Sequence, residues 1–180
     1  MTSRRAFLQG ASTLMAHAAF PQVLGVFLTG SAGTPQAART LAFFTAPELD
    51  TVRILVDLIL PETDSPAASA ADTHWFVDLA ASACATPFQQ RTLRAGLAEL
   101  AAAGFATQSE PERVLLLTQR ATADAVLAYD GSFFKILKDY TMVGYFHSEI
   151  GATRALAYEK VPGGYQGDIP LDAQQKAWAI

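Results

Sequence analysis

"TAPELDTVRILVDLILP", residues 45–61, sets the terms on which the rest of the chain is read. Thr45 and Glu48 stand in capping-box spacing, and Pro47 falls in the first turn, where a missing N–H costs no intrahelical bond. Behind that start, Leu49, Val52, Leu55, Val56, Ile59 and Leu60 recur at intervals that trace one helical face. Pro61 cannot continue the helix. An apolar stripe of this kind must be covered by other elements.

Downstream the same grammar repeats. "ETDSPAASA" (62–70) reads as a loop, and Trp75, Phe76 and Leu79 mark a second helix. Thr86 and Pro87 open a third, carrying Leu93, Leu97 and Leu100 and ending near Gly104. Ser109 and Glu112 cap a fourth from about Pro111 to Ala128, with Val114, Leu117 and Ala121 on one side. After the turn "YDGS" (129–132), Phe133, Phe134, Ile136, Leu137 and Tyr140 keep helical spacing. The segment "EKVPGGYQGDIPLD" (159–172) is turn-rich and cannot be helical across its Pro and Gly residues. No sustained alternation of apolar and polar residues asks for a sheet. The expected fold class is all-α, a small helical bundle with an irregular Gly/Pro/Tyr-rich C-terminal tail.

With 180 residues, 51% of them hydrophobic and only 17% charged, the chain suits one globular domain. Its start is different in kind. "SRRAFLQGAS" (3–12) places Arg4 and Arg5 ahead of Phe7 and Leu8, the pattern of a twin-arginine export signal. Ala6 to Ala38 holds no charged residue, and its most apolar part, Leu14 to Leu28, is interrupted by Pro21 and Gly25. That suits a signal-peptide core better than a membrane span. The organisation expected is a signal segment at 1–33, a linker at 34–46 and a helical domain at 47–180, with the protein in the periplasm. An uncleaved signal would hold it at the inner membrane. Setting residues 1–33 aside takes the net charge from −4 to −6. An acidic domain without clustered Lys and Arg argues against nucleic acid or an anionic membrane as partner.

Catalytic motifs are missing: there is no GxSxG, HExxH, EF-hand or Walker sequence. "GGYQG" (163–167) follows a helix and leaves no room for a dinucleotide-binding βαβ unit. His147 and Glu149 lie two apart, so a helix would point them in different directions, and His74 beside Trp75 belongs to no ligand pattern. Asp57, Glu62, Asp64, Asp72 and Asp78 read as a solvated surface. Cys84, the single cysteine, sits among small residues in "DLAASACA" (78–85) and reads as a buried free thiol. No catalytic, cofactor-binding or metal-binding residue is expected on this chain.

Aromatic density is the more informative signal. Tyr129, Phe133, Phe134, Tyr140, Tyr145, Phe146, Tyr158 and Tyr165 fall within 37 residues, among glycines. Rings supply contact area and glycines permit close approach, so the stretch reads equally as a dense core or as a protein interface. The residues singled out for an interface are Tyr140, Gly144, Tyr145, Phe146, Gly151, Tyr158, Pro162, Gly163, Tyr165 and Gly167. Gly144 and Gly151, seven apart, would share one helical face, with Tyr145 and Tyr165 as anchors.

"TMVGYFHSEIGATRALAYEKVPGGYQGDIPL" (141–171) resembles the C-terminal signature of the gluconate 2-dehydrogenase subunit 3 family. "LDTVRILVDLILPETDSP" (49–66), "WFVD" (75–78), "AGLAEL" (95–100) and "FFKILKDYT" (133–141) follow its order, so the likeness spans about Phe43 to Leu171. The chain departs from the pattern at "TDSPAA", where a Gly usually follows the Pro, and at "GYF" in place of "GYY". The resemblance implies a non-catalytic small subunit that accompanies a large FAD-dependent flavoprotein of the glucose–methanol–choline type. In such complexes a cytochrome c, carrying haem c, often takes the electrons. It also suggests why a chain with no cofactor site would carry a route for folded cargo: the flavoprotein loads FAD in the cytoplasm and crosses bound to this signal. Two other readings compete. One is a free-standing periplasmic enzyme or ligand-binding protein using the aromatic C-terminal region; the other is a chaperone that leaves after export.

Overall fold

Three helices start on capping boxes, two of them read above and the third, Thr86–Gln89, found in the structure. The Glu48 carboxylate accepts both the N–H and the hydroxyl of Thr45 at 2.8 Å. Thr86 and Gln89 bond reciprocally, backbone to side chain, at 2.9 and 3.2 Å. Glu112 accepts from the Ser109 N–H at 2.8 Å and its hydroxyl at 2.6 Å, and these bonds hold its carboxyl below the usual range. Such caps satisfy N–H groups at the helix start that no intrahelical carbonyl can pair.

The computed structural model describes residues 39–161, 163–164 and 175–179. The chain divides into two units, Met1–Thr40 and Leu41–Ile180, and apart from Arg39 and Thr40 the described residues belong to the second. Arg4, Arg5, Phe7 and Leu8, and the whole expected signal segment 1–33, lie outside the described residues. The second unit begins at Leu41, inside the stretch 34–46 expected to be linker.

Among the described residues the helices are α1 (Ala46–Ile59), α2 (Thr73–Ala83), α3 (Pro87–Ala102), α4 (Glu110–Asp124) and α5 (Phe133–Phe146). Short 3₁₀ turns stand at Ala68–Ala71, Phe105–Thr107 and Tyr129–Gly131, and a π-helical turn at Gly151–Ala155 follows α5. No strand ladder occurs among the described residues; Ala157 and Trp178 form one isolated parallel bridge. The all-α expectation is met.

Helix α5 packs against each of the other four. It buries Phe133, Ile136, Leu137, Thr141, Gly144 and Tyr145 against Leu49, Val52, Leu55 and Val56 of α1, Val77 and Ala81 of α2, and Leu93, Leu97 and Leu100 of α3. Each large apolar side chain so covered contributes roughly 1.5–3 kcal/mol. Helix α4 buries only Leu117 of its apolar side chains, leaving Val114 and Leu115 exposed.

Helix α4 stops at Asp124, four residues before the Ala128 that periodicity suggests, and Asp124 is the reason. Its carboxylate is buried and accepts the Phe134 N–H at 2.8 Å and the Ser132 hydroxyl at 3.1 Å, while Ser132 in turn caps the Lys135 N–H at 3.1 Å. Lys135 Nζ then donates to the carbonyls of Ala125 and Leu127 at 3.0 and 2.8 Å, closing the C-terminal end of α4. Arg120 balances the buried charge from one turn back, with Nε 3.0 Å from Asp124, and also pairs with Glu99 of α3.

The close approach of α3 and α5 depends on Gly96. A Cβ there would run into the Phe133 ring, which is fully buried. Helix propensity alone favours Ala over Gly by up to ~1 kcal/mol, whereas overpacking a filled core costs about 1–3 kcal/mol. Phe133 has nowhere to move, so the steric cost should dominate. We predict that Gly96→Ala lowers stability by about 1–2 kcal/mol, read from chemical denaturation; a stabilised variant would show that α3 and α5 do not meet here.

Candidate partner interface

The C-terminal end of α5 is built around Tyr145. Its ring is only 2% exposed and its hydroxyl donates to the Pro66 carbonyl at 2.7 Å. That bond fastens the helix to the loop between α1 and α2, across 79 residues of sequence. One residue earlier, Gly144 faces α2: a Cβ would lie 2.6 Å from Phe76 Cδ1. The room left by the missing side chain is therefore taken by Phe76 of the same chain, not held open for a partner's backbone.

The shared face expected for Gly144 and Gly151 does not form, because α5 ends between them. Ser148 Oγ donates to the Tyr145 carbonyl at 2.6 Å and accepts the Gly151 N–H at 3.0 Å, which turns the chain into the π-helical segment. Gly151 is buried against the Tyr145 carbonyl, again within this chain. Phe146 is half-buried with its ring edge-on to Tyr145 at 5.3 Å, and Tyr140 is half-buried. Burial, and then the charge of Cys84, raises the Tyr140 hydroxyl pKa above its ordinary value.

What faces outward comes after the turn. The Ala157 N–H donates to the Ala177 carbonyl and the Ala179 N–H to the Ala157 carbonyl, both at 2.8 Å. Lys176 Nζ adds a bond to the Arg154 carbonyl at 2.6 Å. These bonds draw residues 175–179 back against the exit of the π-helical turn. On the strap so formed Tyr158 is 56%, Val161 78% and Trp178 53% exposed, and Gly163 is exposed. Pro162, Tyr165 and Gly167 lie outside the described residues. Trp178 was missed by the sequence reading, although a large ring beyond a Pro/Gly-rich tail is itself a signal, since nothing local could bury it.

Other sequence candidates fall into structural positions. His147 caps the end of α5 with Nδ1 2.9 Å from the Val143 carbonyl, and Glu149 stands exposed beyond it. His74 is buried on α2. The acidic set is not one solvated surface. Asp78 is buried and accepts three backbone N–H bonds, and Asp57 is half-buried and accepts the Ser69 N–H at 2.7 Å. Glu62, Asp64 and Asp72 are exposed. Cys84, expected to be buried, is exposed, because α2 ends at Ala83 and leaves it as the C-terminal cap.

An apolar cleft of about 310 Å³ opens between α1, α4 and α5, lined by Leu58, Ile59, Val114, Leu117, Ala121 and Phe134. Its lining adds only the Thr118 hydroxyl and the Lys138 ammonium, short of the converging polar groups that a sugar substrate would need. Among the described residues no three His, Cys, Asp or Glu gather as metal ligands, and no helix is long and apolar enough to cross a membrane.

A family model described as gluconate 2-dehydrogenase subunit 3 matches residues 46–163, which takes in all five helices and the π-helical turn. No curated protein and no solved structure matches the chain.

Two predictions follow from this geometry. Tyr145→Phe removes one bond to Pro66 and leaves a half-buried carbonyl short of a donor. It should cost about 0.5–1.5 kcal/mol in a denaturant melt with the helical signal unchanged; an unaltered midpoint would show that the bond does not hold the loop. Tyr129 is 40% exposed, yet partial desolvation of its hydroxyl, and then the charge of Asp139 and a hydrogen bond to it, push its pKa up to about 12. A folded pKa above the ordinary 10 means that the neutral phenol stabilises the fold fully below pH 10, and that this contribution is lost as pH rises toward 12. Tyrosinate absorbance should therefore lose its latest step in Tyr129→Phe; ionisation of Tyr129 near its ordinary pKa would show that Asp139 does not act on the phenol.

Proposed function

Since the chain belongs to the gluconate 2-dehydrogenase subunit 3 family, we propose that it is the small, non-catalytic subunit of a sugar-oxidising complex. It binds, stabilises and co-exports a large FAD-dependent dehydrogenase of the glucose–methanol–choline type, of the gluconate 2-dehydrogenase or glucoside 3-dehydrogenase kind. FAD belongs to the large subunit, and a cytochrome c subunit carrying haem c is the proposed electron acceptor. The complex works in the periplasm, reached by the twin-arginine route, and meets the inner membrane through its other subunits or through a retained signal.

The observation that carries this reading is the family match over residues 46–163. Two features support it. Arg4 and Arg5 ahead of Phe7, Leu8 and an uncharged run form a signal for exporting folded cargo, and a flavoprotein loaded with FAD is such cargo. Tyr158, Val161 and Trp178 offer apolar area on a strap that this chain's own core does not cover. Within the expected interface set, contact with the partner then rests on Tyr158, Pro162, Gly163, Tyr165 and Gly167. Tyr140 and Phe146 are half-buried and Gly144, Tyr145 and Gly151 buried within this chain's own bundle, so they are not proposed as direct contacts.

Co-purification from the native host, with a flavin spectrum and a panel of sugars, tests the complex directly. Arg4→Lys with Arg5→Lys should leave both chains in the cytoplasm; periplasmic dehydrogenase activity equal to wild type would end the co-export reading. Trp178→Ala should weaken the complex by about 2 kcal/mol, roughly thirtyfold in Kd, while the free subunit keeps its circular dichroism. Assembly as tight as wild type in both Trp178→Ala and Tyr158→Ala would remove the strap from the interface.

A further inference from the structure

The chain enters α1 through Leu41–Phe44, and two side chains from other helices hold that short arm. Asp78 of α2 accepts the backbone N–H groups of Ala42 at 2.6 Å, Phe43 at 3.0 Å and Phe44 at 2.7 Å. Arg94 of α3 donates Nη2 to the Phe43 carbonyl at 2.7 Å, lies 4.3 Å over the Phe43 ring and pairs with Glu48 at 3.5 Å. Phe44 is part of the core, with Leu41 and Phe43 packed against it. Arg39 and Thr40, immediately before, are exposed and outside any helix.

This arrangement bears on proteolysis. A peptidase takes an extended substrate as an added strand, by hydrogen bonds to its backbone N–H and C=O groups. Three successive N–H groups of the arm, and the carbonyl between them, are already engaged. Withdrawing them would also strip the donors from a buried carboxylate, which strongly disfavours local opening. The barrier therefore rises sharply between Thr40 and Ala42.

We propose that the Asp78–Arg94 clamp is a stop for proteolytic processing: a peptidase that trims the chain from its N-terminal side is halted at Leu41. The inference goes beyond the export reading and is independent of which partner the subunit binds.

The test is limited digestion of the full chain with trypsin and, separately, with a broad-specificity serine protease, with new N-termini read by mass spectrometry. Trypsin should open the Arg39–Thr40 bond. The broad-specificity enzyme should give products beginning no later than Leu41 while the helical signal persists. Arg94→Ala, an exposed position whose loss leaves Asp78 with its three donors, should speed cleavage within residues 41–45 about tenfold through the lost charged bond to the Phe43 carbonyl. Asp78→Asn, if it folds, should speed it further. Early N-termini between Phe43 and Ala46 in the wild-type protein overturn the proposal, as does an Arg94→Ala variant cleaved there no faster than wild type.

Discussion

Helix α5 is fixed along its axis by two aromatic rings that fill the places of missing side chains. Near its start its own Phe133 occupies the space over Gly96 of α3; near its end Phe76 of α2 occupies the space over Gly144. A ring seated over a glycine allows little sliding, because movement of a turn in either direction would drive it into a Cβ. With α5 held at both ends, Ser132 stands where Asp124 can reach it, and the Tyr145 hydroxyl stands where Pro66 can accept it. The loop after α1, the turn after α4 and the π-helical segment after α5 all take their positions from that placement.

Two buried carboxylates finish the joints between helices. Asp78 accepts three backbone N–H groups from the segment entering α1, and Asp124 accepts the Phe134 N–H and the Ser132 hydroxyl at the start of α5. A buried charge is tolerable when donors surround it, and bonds to ionised acceptors are stronger than neutral ones. The joints are correspondingly directional: each carboxylate fixes where the next helix begins and how the chain approaches it.

The helices were legible in the sequence because their signals are local. Thr45–Glu48 and Ser109–Glu112 announce starts within four residues, Thr86 with Pro87 announces a third, and Leu93, Leu97 and Leu100 announce a face. What was not legible depends on residues far apart. Asp78 resembles any surface acid until the amides of Ala42 to Phe44, more than thirty positions away, are brought to it. Gly144 invites a partner until Phe76 is found over it, and Gly151 shares its face only if the helix continues through Ser148. Cys84 reads as buried from its small neighbours, yet a helix that stops at Ala83 turns it outward.

The same geometry bears on where a partner could bind. Every helix here commits its apolar stripe to the common core, apart from the lightly buried α4, and the rings that the sequence crowds into α5 are largely used there. Tyr158, Val161 and Trp178 are different, because the segment carrying them is tied down through backbone atoms and Lys176, and not through its large apolar side chains. Their rings and branched chain are therefore available without any element leaving the bundle. Under the proposed function, a surface organised in this way would separate two duties that conflict on a helix face: closing the core, and offering side chains whose removal leaves the core intact. Binding through them would require little opening of the fold, so ordering costs little. That is the property the proposed co-export would require, since the subunit would have to stay folded while bound to a folded partner.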